Sequence, residues 1–161
     1  MKINHITLLM ALFLSAGCKK TVEVINSIQP PPTVECTSVL PNKLSAKFGE
    51  LVWCADQTCF GDQAIIMTIN GINSNGSSLT IELDDFSPGT YPINQDQNHV
   101  LFINAYGFAY ESTNNYAGTL VISSNDTIAN LIKGRINTSL ISPVYGSTTL
   151  SEGSFSIYYT E

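Results

Sequence analysis

Apolar and polar residues alternate with a period of two through most of residues 43–161, as in strands with one buried face. No window of ten residues in this region carries a convincing helical stripe. The clearest alternating apolar positions are Leu79, Ile81, Leu83, Leu120, Ile122, Phe155, Ile157 and Tyr159. The pattern therefore predicts an all-β domain.

Turn-forming residues separate the alternating segments, with clusters of Asn, Gly, Ser, Asp and Pro at 70–71, 73–77, 87–89, 114–115, 124–126 and 152–153. About eight or nine short strands between such turns predict a single antiparallel β-sandwich, with an open barrel as the alternative. Residues 64–69 are almost continuously apolar and predict a central strand covered on both faces. Residues 126–133 have room for one helical turn.

The first 17 residues have the organisation of a bacterial lipoprotein signal peptide. Lys2 supplies a positive charge, and residues 6–14 form an apolar run too short to span a hydrocarbon core of about 30 Å as a helix. Residues 14–18 read Leu-Ser-Ala-Gly-Cys and resemble a lipobox, with Leu one position earlier than in the strict pattern. We therefore expect cleavage before Cys18 and acylation of its sulfur, which would anchor the chain to a membrane.

Residues 18–42 are predicted to be a flexible tether between the lipidated cysteine and a domain at 43–161. Consecutive prolines at 30–32 favour an extended polyproline conformation, and Pro41 follows shortly before the first strand. The segment would hold the domain away from the membrane surface.

The charge balance excludes one class of partner. Without the predicted signal peptide the chain carries 6 basic and 13 acidic residues, a net charge of −7. Such a surface argues against nucleic acid, because phosphate neutralisation needs clustered Lys and Arg. The only basic pair, Lys19 and Lys20, adjoins Cys18, where it suits contact with anionic headgroups.

Together these features resemble the small lipoproteins of unknown function that are common in Bacteroidota. Within the domain the resemblance rests on SAKFGELVW (45–53), LTIEL (79–83), PGTY (88–91), GTLVI (118–122) and LSEGSFSI (150–157), while KGRIN (133–137) fits more loosely. The resemblance implies a β-sandwich-like fold, a cell-envelope location and no known activity. It also implies an outer-membrane protein facing the periplasm, because Lys19 and Lys20 stand where surface-exported members have acidic residues. Surface exposure is the alternative.

Cys54 and Cys59 are predicted to form a disulfide, because only four residues separate them in a chain expected in an oxidising compartment. Redox motifs have two intervening residues instead. Cys36 either pairs with one of these cysteines or carries a thiol on the tether. A zinc site built from the three cysteines and His99 lacks finger-like spacing, so we expect no metal and no cofactor.

Candidate catalytic groups are few. His99 is the only histidine of the mature chain, so any Ser-His-Asp or Cys-His mechanism would depend on it, and we interpret it as an exposed loop residue. Asp84 and Asp85 are adjacent at a strand end, and with Asp96 they lack the spacing of a calcium loop. We therefore expect no enzyme activity.

Tyr106, Phe108 and Tyr110 alternate with two small residues and are predicted to share one face of a strand. An exposed row of aromatic rings is suited to stacking on sugars or holding peptides, whereas a buried row belongs to the core. Both interpretations are open from the sequence.

The sequence favours a membrane-anchored, non-catalytic binding or structural module of the envelope, with a glycan or another envelope protein as partner. A carbohydrate-binding or adhesion domain that uses the aromatic row is the alternative, and a hydrolase built around His99 and a carboxylate is the third hypothesis. Residues 126–128, Asp-Thr-Ile, resemble an O-glycosylation motif of Bacteroidota envelope proteins, with Thr127 as the acceptor.

Overall fold

The computed structural model describes residues 37–116 and 118–161, and these residues form eleven β-strands and no α-helix. The strands are β1 (Lys43–Phe48), β2 (Leu51–Cys54), β3 (Thr58–Gln63), β4 (Met67–Ile72), β5 (Ser78–Leu83), β6 (Gly89–Ile93), β7 (Val100–Ile103), β8 (Ala109–Ser112), β9 (Gly118–Asp126), β10 (Leu131–Ser142) and β11 (Gly146–Thr160). The all-β prediction is confirmed, while the predicted number of strands is too low. Strands β2, β7 and β8 have only four residues each, which is too short to show a period in the sequence.

All the strands belong to one sheet, in the order β2–β1–β11–β3–β4–β5–β7–β8–β10–β9–β6. The pairing of β11 with β3 is parallel, and the other pairings are antiparallel. Because β11 also pairs with β10, the strands from β11 through β3 and β8 to β10 form a closed circuit. The sheet therefore curls around its apolar face, and a sandwich of two separate sheets is not confirmed.

A β-bulge lets the long strand β11 bend and pair with several partners. Between Ile136 and Thr138 of β10, the register of β11 advances by three residues instead of two, and the same shift occurs opposite β1. Glu152 lies at the bulge with a φ of 49°. An extra residue of this kind kinks a strand and increases its twist. The bend allows β11 to pair with β1 first and then with β3 at its last residues, Tyr159 and Thr160.

The apolar residues that alternate along the strands fill the interior of the curled sheet. All eight alternating positions singled out from the sequence are buried. They are joined by further buried side chains, among them Leu44, Trp53, Met67, Ile69, Ile93, Val100, Ile132, Ile136, Leu140 and Leu150. The period of two in the sequence therefore reflects strands with one buried face, as predicted.

Two local predictions are wrong. Residues 64–66 connect β3 to β4 instead of beginning a central strand, and the Ile65 side chain is 95% exposed. Residues 127–130 form a turn between β9 and β10 instead of a helical turn, and Asn130 has a φ of 49°. In both places the two antiparallel strands, β3 with β4 and β9 with β10, stay paired as far as the short connection between them. This pairing decides the conformation of the connection.

The two ends of the curled sheet differ. At one end, called the hairpin end here, lie the connections 49–50, 73–77, 104–108 and 143–145. At the other end, the N-terminal end, the connections 64–66, 84–88 and 127–130 lie near the start of the described chain. Asn42 holds that start in place, because its Nδ2 donates to the carbonyl oxygens of Cys59 at 3.0 Å and Tyr158 at 3.2 Å.

The predictions for residues 1–36 fall outside the described residues. They include the signal peptide at 1–17, the lipidation of Cys18, the proline-rich part of the tether and the state of Cys36. Among residues 37–116 and 118–161, no helix is long and apolar enough to cross a membrane.

Candidate functional site

A cleft of about 500 Å³ opens at the hairpin end of the curled sheet. All four hairpin connections, or the strand ends beside them, contribute to its walls. Its volume is in the range of small-molecule binding sites. The cleft is lined by Phe48, Leu51, Trp53, Asn75, Ser77, Phe102, Asn104, Ala105, Tyr106, Tyr110, Ser147 and Thr148.

Three aromatic side chains of the core form the floor of the cleft. The rings of Phe48 and Phe102 stack with their centroids 3.7 Å apart and their planes 18° from parallel. Trp53 meets each of these rings edge-on at 6.4 Å. Since β1 and β7 are not neighbours in the sheet, the stack ties together two separate parts of the domain. These ring contacts therefore join β1, β2 and β7 beneath the cleft.

The β7–β8 hairpin presents two tyrosines to the cleft. Tyr110 is half-buried, with its ring 6.3 Å from that of Phe102, whereas Tyr106 at the tip of the turn is 83% exposed. The turn is held by Asn104, whose N–H donates to the Phe108 carbonyl at 3.0 Å, and by Gly107, which has a φ of 83°. Glycine adopts this conformation without strain.

The prediction that Tyr106, Phe108 and Tyr110 share one face of a strand is wrong. Strand β8 begins at Ala109, so only Tyr110 lies in it, and the other two belong to the turn. Phe108 does not line the cleft, and its ring stacks on Tyr145 with centroids 3.7 Å apart. The period-two rule holds only within a strand, and the turn breaks it here.

Two asparagines bring hydrogen-bond donors to the cleft. Asn75 Oδ1 accepts from the Ser77 N–H at 2.9 Å, and Asn104 Oδ1 accepts from the N–H groups of Tyr106 and Phe108 at 2.9 and 3.0 Å. These contacts set the orientation of both amide groups. Neither NH₂ group donates to another described residue, so both remain for a ligand. Ser147 and Thr148 add hydroxyl groups to the lining.

The cleft is uncharged. Its lining contains no Asp, Glu, Lys, Arg, His or Cys, although the whole chain has 13 acidic and 7 basic residues. The connections 73–77, 104–108 and 143–145 also lack charged residues. Two acidic residues outside the lining do lie at this end: Glu50, and Asp56, whose Oδ1 accepts from the Ser74 N–H at 2.6 Å. Acidic side chains instead lie near the N-terminal end, namely Asp62, Asp84, Asp85 and Asp126. This distribution suits a neutral ligand in the cleft.

His99 lies away from the cleft, directly before β7. It sits between Glu82 of β5 and Glu111 of β8, with Nδ1 3.7 Å from Glu82 Oε2 and Nε2 3.9 Å from Glu111 Oε2. The side chain is 25% exposed, so it is less exposed than predicted. No serine or threonine hydroxyl among the described residues is hydrogen-bonded to it, so the structure does not assemble a Ser-His pair around His99.

The carboxylates of Asp84 and Asp85 hold two different loops. Asp84 Oδ2 accepts from the Asn98 N–H at 3.1 Å, and Asp85 Oδ1 accepts from the Ser87 N–H at 2.8 Å. The Ser87 N–H bond lowers the pKa of Asp85. Burial, and then the negative charge of Asp85, raises the pKa of Tyr91. No group of three or more His, Cys, Asp or Glu side chains in the described part of the chain could hold a metal ion.

The predicted disulfide between Cys54 and Cys59 is not formed, since no two cysteine sulfurs among the described residues lie at disulfide distance. Cys54 ends β2 on the β1 side of the sheet, whereas Cys59 lies in β3 beside β4. The chain between them crosses from one strand pair to the next, and the Gln57 N–H donates to the Ile72 carbonyl at 3.1 Å. Because it does not fold back as a hairpin, the two cysteines are not brought opposite each other.

Thr127 is exposed in the turn between β9 and β10. Asp126 Oδ1 holds this turn by accepting from the N–H groups of Ile128 and Ala129, each at 3.0 Å. The hydroxyl of Thr127 is therefore accessible, and its O-glycosylation stays a prediction.

Sequence reasoning missed most of the cleft. Phe48, Trp53 and Phe102 look like ordinary core residues, and Asn75 and Asn104 look like ordinary turn residues. The turns themselves were recognisable from their Asn and Gly residues. Which turns share one end of the domain depends on the strand order, and periodicity does not contain that information.

No family model, no curated protein and no solved structure matches this chain. The geometry and chemistry of the cleft are therefore the main guide to function.

Proposed function

We propose that this chain is a lipid-anchored lipoprotein of the cell envelope whose domain is a non-catalytic module that binds a neutral carbohydrate. The observation that carries the binding part is the uncharged, aromatic cleft at the hairpin end. The anchoring part depends on the lipobox-like residues that end at Cys18. By the resemblance described above, the anchor lies in the outer membrane and the domain faces the periplasm.

A sugar ring matches the chemistry of the cleft. Its C–H faces are apolar and carry slight positive charge, so they pack on the negative faces of aromatic rings such as those of Tyr106 and Tyr110. Its hydroxyl groups accept hydrogen bonds from amide groups such as those of Asn75 and Asn104. Binding sites of this kind combine apolar walls with a few placed polar groups.

The content of the cleft also favours binding without catalysis. Hydrolysis of glycosidic bonds generally needs a pair of carboxylic acids on either side of the bond. The lining has no carboxylate, and His99 with its two glutamates lies elsewhere on the sheet. A bound sugar chain would therefore be held and released intact.

The position of the cleft is consistent with a tethered domain. The cleft residue Thr148 and the Asn42-bonded residue Tyr158 are about ten residues apart along β11, a path of roughly 30 Å in a strand. The tether thus joins the domain at the end away from the cleft.

Binding of defined polysaccharides tests the carbohydrate proposal. The full chain, purified in detergent, is incubated with insoluble cellulose-type, starch-type and laminarin-type glucans, mannan and xylan, and the bound fraction is measured. We expect retention on at least one of them, and loss of retention in Tyr106→Ala and Tyr110→Ala. Because Tyr106 is exposed, its replacement leaves the fold intact, which a thermal melt verifies.

Tyr116→Ala is the matched control for these variants. Tyr116 is also a partly exposed turn tyrosine, but it lies outside the cleft. Tyr116→Ala should be retained on the polysaccharides to the same extent as the unaltered chain. Equal loss in all three variants, or no retention on any of the five polysaccharides, contradicts the carbohydrate proposal.

Membrane fractionation and mass spectrometry test the anchoring proposal separately. The unaltered chain should fractionate with membranes and carry acyl chains on an N-terminal Cys18. Cys18→Ser should lose both the acyl mass and the cleavage of the signal peptide before residue 18. An unmodified cysteine at position 18 in a membrane-free protein overturns the anchoring part and leaves the cleft proposal unaffected.

A further inference from the structure

We propose that the cleft continues into a second platform of aromatic rings, so that its occupant is a linear chain of neutral sugar units and not a single sugar. This inference rests on the proposed function. The platform, called the ring row, consists of Tyr106, Phe108 and Tyr145. Phe108 stacks on Tyr145 with centroids 3.7 Å apart and planes 24° from parallel, and Tyr106 lies 6.2 Å from Phe108 at 30°.

The ring row begins at the mouth of the cleft. Tyr106 belongs to both, because it lines the cleft and contacts Phe108. Tyr145 is two residues before Ser147 in the chain, and Ser147 lines the cleft. The row thus joins the β7–β8 turn to the β10–β11 turn, and each turn is next to residues that line the cleft. A ligand long enough to leave the cleft on this side meets aromatic rings next.

The exposure of the ring row indicates a role beyond packing. Tyr145 is 50% exposed, Tyr106 is more exposed still, and the neighbouring Val144 is also open to solvent. Contiguous exposed apolar side chains beside a cleft commonly mark a binding surface. Phe108 and Tyr145 cover one ring face of each other, so a ligand would contact the exposed parts of Tyr106 and Tyr145. The stacking already restricts the Tyr145 side chain, so little of its freedom is lost on binding.

The charges around the ring row select a neutral chain. Neither turn that carries the row, 104–108 or 143–145, contains a charged residue, so an anionic polymer would find no cation to pair with. The whole chain has a formal charge of −6 and would repel such a polymer. A neutral polysaccharide offers apolar faces and hydroxyl groups in turn along its length. These match the rings together with the amide of Asn104 and the hydroxyl of Ser147.

Ligand length and one aromatic side chain outside the cleft test this inference. The full chain in detergent is titrated with a disaccharide and a hexasaccharide of the polysaccharide that it retains, and each affinity is measured calorimetrically. We expect the hexasaccharide to bind at least tenfold more tightly than the disaccharide. Tyr145→Ala should lower hexasaccharide affinity about three- to tenfold, the size of one aromatic contact, and leave disaccharide affinity unchanged.

Tyr145→Phe is the matched control, because it keeps the ring and removes only the hydroxyl. It should bind both sugars like the unaltered chain, and Tyr106→Ala should weaken both. Equal affinity for the two sugars, or an unchanged hexasaccharide affinity in Tyr145→Ala, overturns the ring row while the cleft proposal stands. Absence of binding to either sugar and to all polysaccharides overturns the proposed function itself.

Discussion

Trp53 Nε1 donates a hydrogen bond of 2.8 Å to Ser77 Oγ, and this buried pair joins the floor of the cleft to its rim. The same Ser77 hydroxyl in turn donates to Asn75 Oδ1 at 2.5 Å. A single chain of hydrogen bonds therefore runs from the core tryptophan to an asparagine that lines the cleft. Stability of the fold and placement of the Asn75 amide in the cleft depend on the same serine.

Replacing Ser77 by Ala should destabilise the domain. The indole N–H of Trp53 would then be buried without a partner, which costs about 1 to 3 kcal/mol. Urea unfolding followed by tryptophan fluorescence measures this directly, since Trp53 is the chain's one tryptophan. Ser124→Ala, at an exposed position of β9, is the control and should change stability by less than about 0.5 kcal/mol. Equal stability of Ser77→Ala and the unaltered chain would contradict the buried bond.

A second prediction concerns the contact between β10 and its neighbours at Gly134. A Cβ at this position would lie 2.5 Å from the Val121 carbonyl oxygen and would also meet the ring of Phe155. Because the oxygen belongs to the backbone of the paired strand β9, it cannot move without disturbing the sheet. Gly134→Ala should therefore cost about 1 to 3 kcal/mol or more in the free energy of unfolding.

The control for Gly134 is a glycine where added volume meets nothing. A Cβ at Gly107 has no heavy atom within 4 Å, but the φ of 83° strains other residues. Gly107→Asn should be tolerated better than Gly107→Ala, since Asn enters the left-handed region more readily. Thermal melts of the three variants separate steric from conformational cost. If Gly134→Ala and the unaltered chain had the same melting temperature, β9 and β10 could move apart at this position without cost.

The sequence predicted the interior of the domain better than its connections. Leu79, Ile81 and Leu83 are buried as their alternation indicated, because a half-buried strand leaves a period of two wherever it lies in the sheet. Residues 64–66 were misplaced, since an apolar run does not reveal where a hairpin turns.

The candidate site was predictable only in part. Tyr106 and Tyr110 were recognised as aromatic and closely spaced, and both line the cleft. Trp53 and Phe102 join them through a strand order in which β1 and β2 reach the hairpin end beside β11. This order depends on long-range pairing and on the bulge at Glu152, and neither leaves a local pattern in the chain.

The bulge at Glu152 yields a third prediction. Glu152 accepts a hydrogen bond from Lys47 Nζ at 2.8 Å, and its backbone has a φ of 49°. Glu152→Gln removes the charge and should cost less than about 1 kcal/mol, because partly exposed ion pairs contribute little. Glu152→Gly also loses the pair but relieves the backbone strain, so it should be at least as stable as Glu152→Gln.

Denaturant unfolding at low and high salt checks the bulge prediction. The difference between the unaltered chain and Glu152→Gln should shrink at high salt, because salt screens an exposed ion pair. The Gly variant should keep its advantage over Gln at both salt concentrations, since backbone strain does not depend on screening. A Gly variant clearly less stable than Gln would show that the left-handed conformation is not strained.

The last prediction concerns acid stability at the turn that follows β5. The Ser87 N–H lowers the pKa of Asp85, so the folded state holds this carboxylate ionised more readily than the unfolded state does. The stability that the ionised Asp85 carboxylate contributes is therefore present above the unfolded pKa of about 3.9. It is lost as the pH falls through the lower pKa of the folded state.

Asp85→Asn tests this contribution, because it keeps an oxygen for the Ser87 N–H and removes the charge. Unfolding in urea near neutral pH should show the variant less stable, and the difference should vanish well below about pH 4. A difference that persists or grows on acidification would show that the charge of Asp85 does not stabilise this turn.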